Sequence, residues 1–129
     1  MLKILTVRQP WASLLLREKD VENRSWYTHH RGWTLIHAAK NVDASAEVAE
    51  YGDPRTMVRG AVIGAINLTS ITRTSTSRWS KPGMYHWRHD LRYAMTFTNP
   101  IPWTGRLKLT TVPDELIILL PAEHSFLTS

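Results

Sequence analysis

Lys19, Glu22 and Arg24 are the residues of this chain whose types and spacing best suit chemistry. Glu22 and Arg24 are two apart in a stretch that reads as a strand, so both side chains leave on one face, and Lys19 stands at the corner just before it. Two cations flanking a carboxylate keep it ionised when all three are drawn partly out of water. The trio then offers N–H donors beside an acceptor, which matches the polar edge of a pyrimidine. A lysine with a depressed pKa can act as nucleophile or base, and a carboxylate beside it as proton carrier. The structural alternative is an ion-pair cluster that closes a barrel, with Arg24 pinning loop carbonyls.

A second constellation lies between residues 72 and 92. Arg73, Arg78, Lys81, Arg88 and Arg92 stand there against a single acid, Asp90, so most of the formal net charge of +5 comes from this segment. Trp79, Tyr85 and Trp87 interleave with the cations, a pattern in which bases stack on rings while cations meet phosphates. Arg73, Arg78, Trp79, Lys81 and Arg88 are the candidate nucleic-acid-binding residues. The competing reading is a solvated basic loop anchored by its aromatics. His86 and His89 have a spacing that would fit a metal on a helix, but no third ligand is in view, and no metal or other cofactor is expected. The absence of cysteine excludes disulfides, thiolate metal sites and thiol nucleophiles.

These residues need elements to position them. The 129 residues, 43% hydrophobic and 21% charged, suit one globular domain spanning 1–129. Residues 2–7 read as an opening strand. Pro10 starts a helix whose apolar positions are Trp11, Leu14 and Leu15 and which ends near Lys19. Residues 20–24 and 32–38 read as strands joined by a polar turn. Asp43 suits the N-cap of a helix over 44–51. The strongest strand is 61–66, extending toward 71, followed by a long surface loop over 72–83. Residues 91–97 read as a strand, 99–105 as a proline-containing turn and 106–112 as the last strand, with a short segment over 114–119. The tail after Pro121 reads as disordered. Six or so short strands with two or three small helices make an α+β domain, most economically a mixed β-barrel. No stretch approaches the ~18 apolar residues of a membrane span, and a cytoplasmic protein is expected.

Residues 5–38 closely resemble the signature of the ASCH (activating signal cointegrator homology) family. The likeness rests on Arg8-Gln9-Pro10-Trp11, Lys19-x-x-Glu22-x-Arg24, Arg31-Gly32 and Ile36-His37-Ala38. It continues through Gly60-Ala61-Val62-Ile63-Gly64, Tyr85-His86-Trp87 and residues 100–105. The resemblance implies a PUA-like fold and a cleft at Lys19 and Glu22, with these two as the candidate catalytic pair and Arg8, Gln9, Pro10, Trp11, Arg24 and His37 as substrate-binding residues. On residue type alone, His37 reads as a hydrogen-bonded core histidine and Trp26 and Trp33 as core, with Trp11 as a cleft wall. The family's activities imply a partner that is a pyrimidine nucleoside or single-stranded RNA, and a reaction, the removal of an acyl group from N4-acylated cytidine. The alternative is a non-catalytic RNA-binding module, or a ribonuclease, using residues 72–92. Arg17 and Lys108 stand where the family usually has glycine, and Glu22 stands where the small amidohydrolases of the family carry threonine.

Overall fold

The computed structural model describes all 129 residues, the side chains of residues 46–48 excepted. Seven strands, β1 (Lys3–Val7), β2 (Val21–Arg24), β3 (Gly32–Ala38), β4 (Ala61–Thr72), β5 (Tyr85–His89), β6 (Met95–Pro102) and β7 (Lys108–Thr111), form one mixed sheet. Its order is β2-β5-β4-β3-β1-β7, with β6 also paired to β4. The sheet curls into a half-barrel with a few short helices, the α+β, PUA-like architecture expected from the sequence. β1 and β3 are parallel, and the other pairs are antiparallel.

β1 and β3 read as nearly continuous apolar runs because both faces of this parallel pair are covered. Leu5, Val7 and Ile36 face one cluster, closed by Ala12, Leu15 and Leu16 around helix α1 (Trp11–Leu15) and by Trp87 of β5. Ile4 and Leu35 face the other, closed by Phe97, Leu116 of helix α2 (Asp114–Ile117) and Leu127. Gly64 lets β4 pass close to its neighbours: a Cβ there would overlap Met95 O and come within 2.7 Å of Leu16 Cδ1.

Several local expectations change. The 20–24 and 32–38 strands do not pair with each other; β2 pairs with β5, and β3 with β1 and β4. Residues 85–89, to which the sequence pattern assigns no element, form β5, and residues 91–93 form a three-ten turn capped by the Asp90 carboxylate on the Arg92 amide. β6 runs on through Pro100, which has no partner on β4 and so removes no ladder hydrogen bond. Asp43 caps no helix; the three-ten turn begins at Ala46, and Asp43 instead accepts from Ser45 N and Trp11 Nε1. The tail is ordered as a three-ten segment, Ala122–Thr128, because Leu127 is buried and Phe126 packs on Trp33.

The sheet ends on β2 and β7, and a seam lies between β2 and the paired β1 and β7. Arg24 crosses it, donating from Nη2 to Thr6 O at 2.9 Å.

Candidate functional site

The floor of the site forms where α1 hands the chain to β2. Leu14 O accepts from the amides of Glu18 and Lys19 at 2.9 and 2.8 Å, which ends the helix and turns Lys19 inward. Lys19 and Glu22 are only 4% and 6% exposed. Lys19 Nζ donates to Val21 O at 2.6 Å and to Glu22 Oε1 at 3.2 Å, while Arg24 Nε donates to Glu22 Oε2 at 2.8 Å. An ammonium has three N–H donors, so one proton of Lys19 stays uncommitted to protein acceptors. Burial alone would raise the Glu22 pKa, but the charges and hydrogen bonds of Lys19 and Arg24 outweigh it and hold the carboxyl below its ordinary value. His89 braces the floor from behind, its Nε2 donating to Lys19 O at 2.8 Å. Its Nδ1 is buried without a partner, and burial keeps the ring below its ordinary pKa.

Above this floor opens a cleft of about 750 Å³. Trp11 forms one wall, fixed by donation from Nε1 to Asp43 Oδ2 at 2.9 Å; that bond, with the Ser45 amide, lowers the Asp43 pKa. Lys19 Nζ lies 5.7 Å from the Trp11 ring centroid. Trp11 meets Tyr51 edge-on at 5.6 Å, and Tyr51 lies tilted to Trp79 at the same separation, so three rings run in series along the cleft. A further ring, Trp26, packs edge-on against buried Trp87 at 4.7 Å.

The long basic loop folds over as a flap. Asn23, on the opposite face of β2 from Glu22 and Arg24, donates from Nδ2 to Trp79 O at 2.9 Å. Its Oδ1 accepts from Lys81 N and contacts His86 Nδ1, both at 3.0 Å. Ser77 Oγ donates to Asp20 Oδ1 and adds a tether one turn earlier. Arg78 lies 4.3 Å over the Trp79 ring.

Of the residues singled out in the sequence, Arg8, Trp11, Lys19, Glu22, Arg24, Arg78, Trp79 and Lys81 border this one cleft. Others lie elsewhere. Gln9 is fully buried and spent on Ser13 and Val58 O, and Pro10 is buried beside it. Both ring nitrogens of His37 are engaged, Nδ1 with Thr6 Oγ1 at 2.9 Å and Nε2 with Trp103 O at 2.8 Å. Arg73 packs 4.6 Å over Tyr85, outside the cleft, and Arg88 is exposed on β5. Trp87 is 1% exposed and belongs to the core, so it offers no stacking face. His86 and His89 lie on a strand, three apart and so on opposite faces. Asn23, Tyr51 and Lys108 border the cleft without having been singled out as site residues. Among the described residues no group of three or more potential ligands is placed to hold a metal ion. No helix among them is long and apolar enough to cross a membrane.

The family model described as the ASCH domain matches residues 5–104, the stretch that carries both the floor and the flap. The chain belongs to the ASCH domain family. Activating signal cointegrator 1 of Homo sapiens is 49% identical over 57 residues, 43% of this chain and 10% of that protein. The Mus musculus protein of the same name is 47% identical over 57 residues, with the same shares. The matched stretch thus spans about a tenth of the length of these curated relatives. Two departures from the usual ASCH pattern now have a structural setting. Arg17 is exposed, and Leu109 is the one non-glycine residue with positive φ among the described residues, so Arg17 needs none of glycine's backbone freedom. Lys108 borders the cleft, next to that left-handed Leu109.

Proposed function

We propose that this ASCH domain is RNA-directed and that its cleft receives one unstacked pyrimidine base. The observation that carries the reading is the joining of a donor–acceptor floor to aromatic walls in one cavity of about 750 Å³, a size suited to a nucleotide-sized ligand. The uncommitted proton of Lys19 can be given to a pyrimidine carbonyl oxygen or ring nitrogen. Glu22 Oε1, which accepts only from Lys19, keeps a lone pair for the N4 amino group of cytosine or the N3–H of uracil. Trp11 and Trp79 offer flat faces on which a splayed base can stack, the usual mode of single-strand RNA recognition. Titration of the intrinsic tryptophan fluorescence with cytidine and with short oligoribonucleotides tests it. Saturable quenching that weakens about tenfold or more in Trp11→Ala is expected, since stacking on a ring is worth ~1–3 kcal/mol per base. No saturation by either ligand at millimolar concentration would end the proposal.

The same floor favours a second reading, hydrolysis of N4-acylated cytidine. With the base seated on Glu22, an acyl oxygen on N4 would accept the free Lys19 proton, which would stabilise the oxyanion as water adds to the acyl carbon. Collapse breaks the C–N bond, N4 takes up a proton, and the carboxylic acid and cytidine leave. Glu22 would carry the proton from water to N4. Acetate release from N4-acetylcytidine is the measurement, with a loss of roughly a hundredfold or more in Lys19→Ala that retains its circular dichroism spectrum. A wild type that binds cytidine and releases no acetate leaves the binding function standing alone.

A further inference from the structure

The floor answers its own charges, but the rim does not. Arg78, Lys81 and Lys108 border the cleft and make none of the ion pairs found among the described residues. Outside the floor the lining carries the cations Arg8, Arg78, Lys81 and Lys108 against the acids Asp43 and Glu50, so the rim keeps a net positive charge that a neutral nucleoside would not meet. Arg78, Lys81 and Lys108 also stand on two different lips. Arg78 and Lys81 belong to the flap that Asn23 ties to β2. Lys108 belongs to β7, which is paired with β1 on the far side of the seam.

Lys108 is placed there by an irregularity in the sheet. Ile4 pairs with Thr110 and Leu5 with Lys108, so Leu109 is an extra residue in the β1–β7 ladder. It takes φ 59°, a left-handed conformation unfavourable for leucine, and is held in it by burial of its side chain in the core. A bulge of this kind breaks the alternation of faces and re-aims the neighbouring side chain. Here the side chain re-aimed is Lys108, whose Nζ reaches to 5.2 Å from the centroid of Trp26, the residue two beyond the end of β2. A cation from one lip thus sits over a ring of the other.

Taking the base-binding reading as its ground, we infer that the cleft accepts its base as part of a phosphodiester strand lying across the seam, and that Lys108 contacts a strand phosphate on the β7 lip. The ligand class is therefore single-stranded RNA rather than a free nucleoside. The flap cations Arg78 and Lys81 meet the strand on the opposite lip.

Cytidine, pentacytidylate and a pentanucleotide of the same backbone lacking its bases are titrated against the full chain over a salt series. Pentacytidylate is expected to bind at least tenfold tighter than cytidine at low salt. Its log affinity falls with log salt by about 0.7 per neutralised phosphate, whereas cytidine binding stays nearly flat. Lys108→Gln lowers the slope by about 0.7, Lys108→Arg keeps it, and Arg55→Gln, which lies outside the cleft, leaves it unchanged. Equal affinity for cytidine and pentacytidylate, or a slope untouched by Lys108→Gln, overturns the strand path and leaves the base pocket intact. An abasic strand binding as tightly as pentacytidylate overturns the base pocket itself.

Discussion

The floor and the rim of this cleft are both rich in cations, yet they treat charge in opposite ways. At the floor, Glu22 lies between Lys19 and Arg24, its side chain 8% exposed, with contacts of 3.2 and 2.8 Å. At the rim, Arg78, Lys81 and Lys108 are exposed and without ion pairs among the described residues. Buried charges are tolerated only when each is paired and hydrogen-bonded, so the floor has to be complete before any ligand arrives. Exposed cations carry no such requirement and stay available to an incoming anion. The contrast separates what the fold depends on from what the ligand meets, with Lys19 and Glu22 serving both.

The largest effect is expected where that separation is broken at the floor. Glu22→Gln leaves the Lys19 ammonium buried without a counter-charge and weakens the Arg24 bridge across the seam. Removing one member of a buried ion pair typically costs about 3–5 kcal/mol, and urea unfolding is expected to show a loss of that order. A loss below about 1 kcal/mol would mean that the floor is as loosely coupled to the fold as the rim.

Acidification sharpens the same comparison without mutation. The Glu22 pKa is lowered on folding from 4.5, so its contribution is fully present above that value and is lost as pH falls from there toward the folded-state value. The His89 pKa is lowered from 6.5, chiefly by burial, so below 6.5 the unfolded chain binds more protons than the folded one and stability falls as pH drops. His30, lowered mainly by burial as well, acts in the same direction. Unfolding free energy is therefore expected to be flat just above 6.5 and to decline in two stages on the acid side. His89→Gln flattens the upper stage in part. An unchanged upper stage in that variant would remove His89 from the support of the floor.

The two regions also differed in how far the sequence disclosed them. The spacing of Lys19, Glu22 and Arg24 sufficed to place their side chains together, because residues two apart on a strand share a face whatever lies around them. β1, β3 and β4 were legible from their apolar runs for the same local reason. β5 was not: in Tyr85-His86-Trp87-Arg88-His89 the buried positions include two histidines, whose partners Asn23 and Lys19 O are 63 and 70 residues away. The basic loop disclosed its charge but not its address, since its tether to Asn23 spans 56 residues. An asparagine in the middle of an expected strand was the one local hint, as a poor strand former that needs a polar partner. The Leu109 bulge left no local hint, because leucine is a residue type that ordinarily avoids positive φ.

The smallest effect on stability belongs to the rim. In the double variant Arg78→Gln/Lys81→Gln the charges removed are exposed and make no ion pair among the described residues, and substitutions of that kind usually stay within about 0.5 kcal/mol. Loss of the Arg78 guanidinium from the Trp79 ring adds ~0.5–1 kcal/mol for an exposed cation–π contact. The acid limb of the stability curve is expected to keep its shape, because neither cation is among the charges acting on Glu22 or His89. RNA affinity responds differently: the salt slope becomes shallower by about 0.7 for each phosphate that is no longer neutralised, and the affinity at low salt falls with it. A double variant that unfolds as readily as Glu22→Gln would make the flap part of the fold's support. One that kept the full salt slope would return the flap to the role of solvated surface and leave Lys108 to meet the strand from the other lip alone.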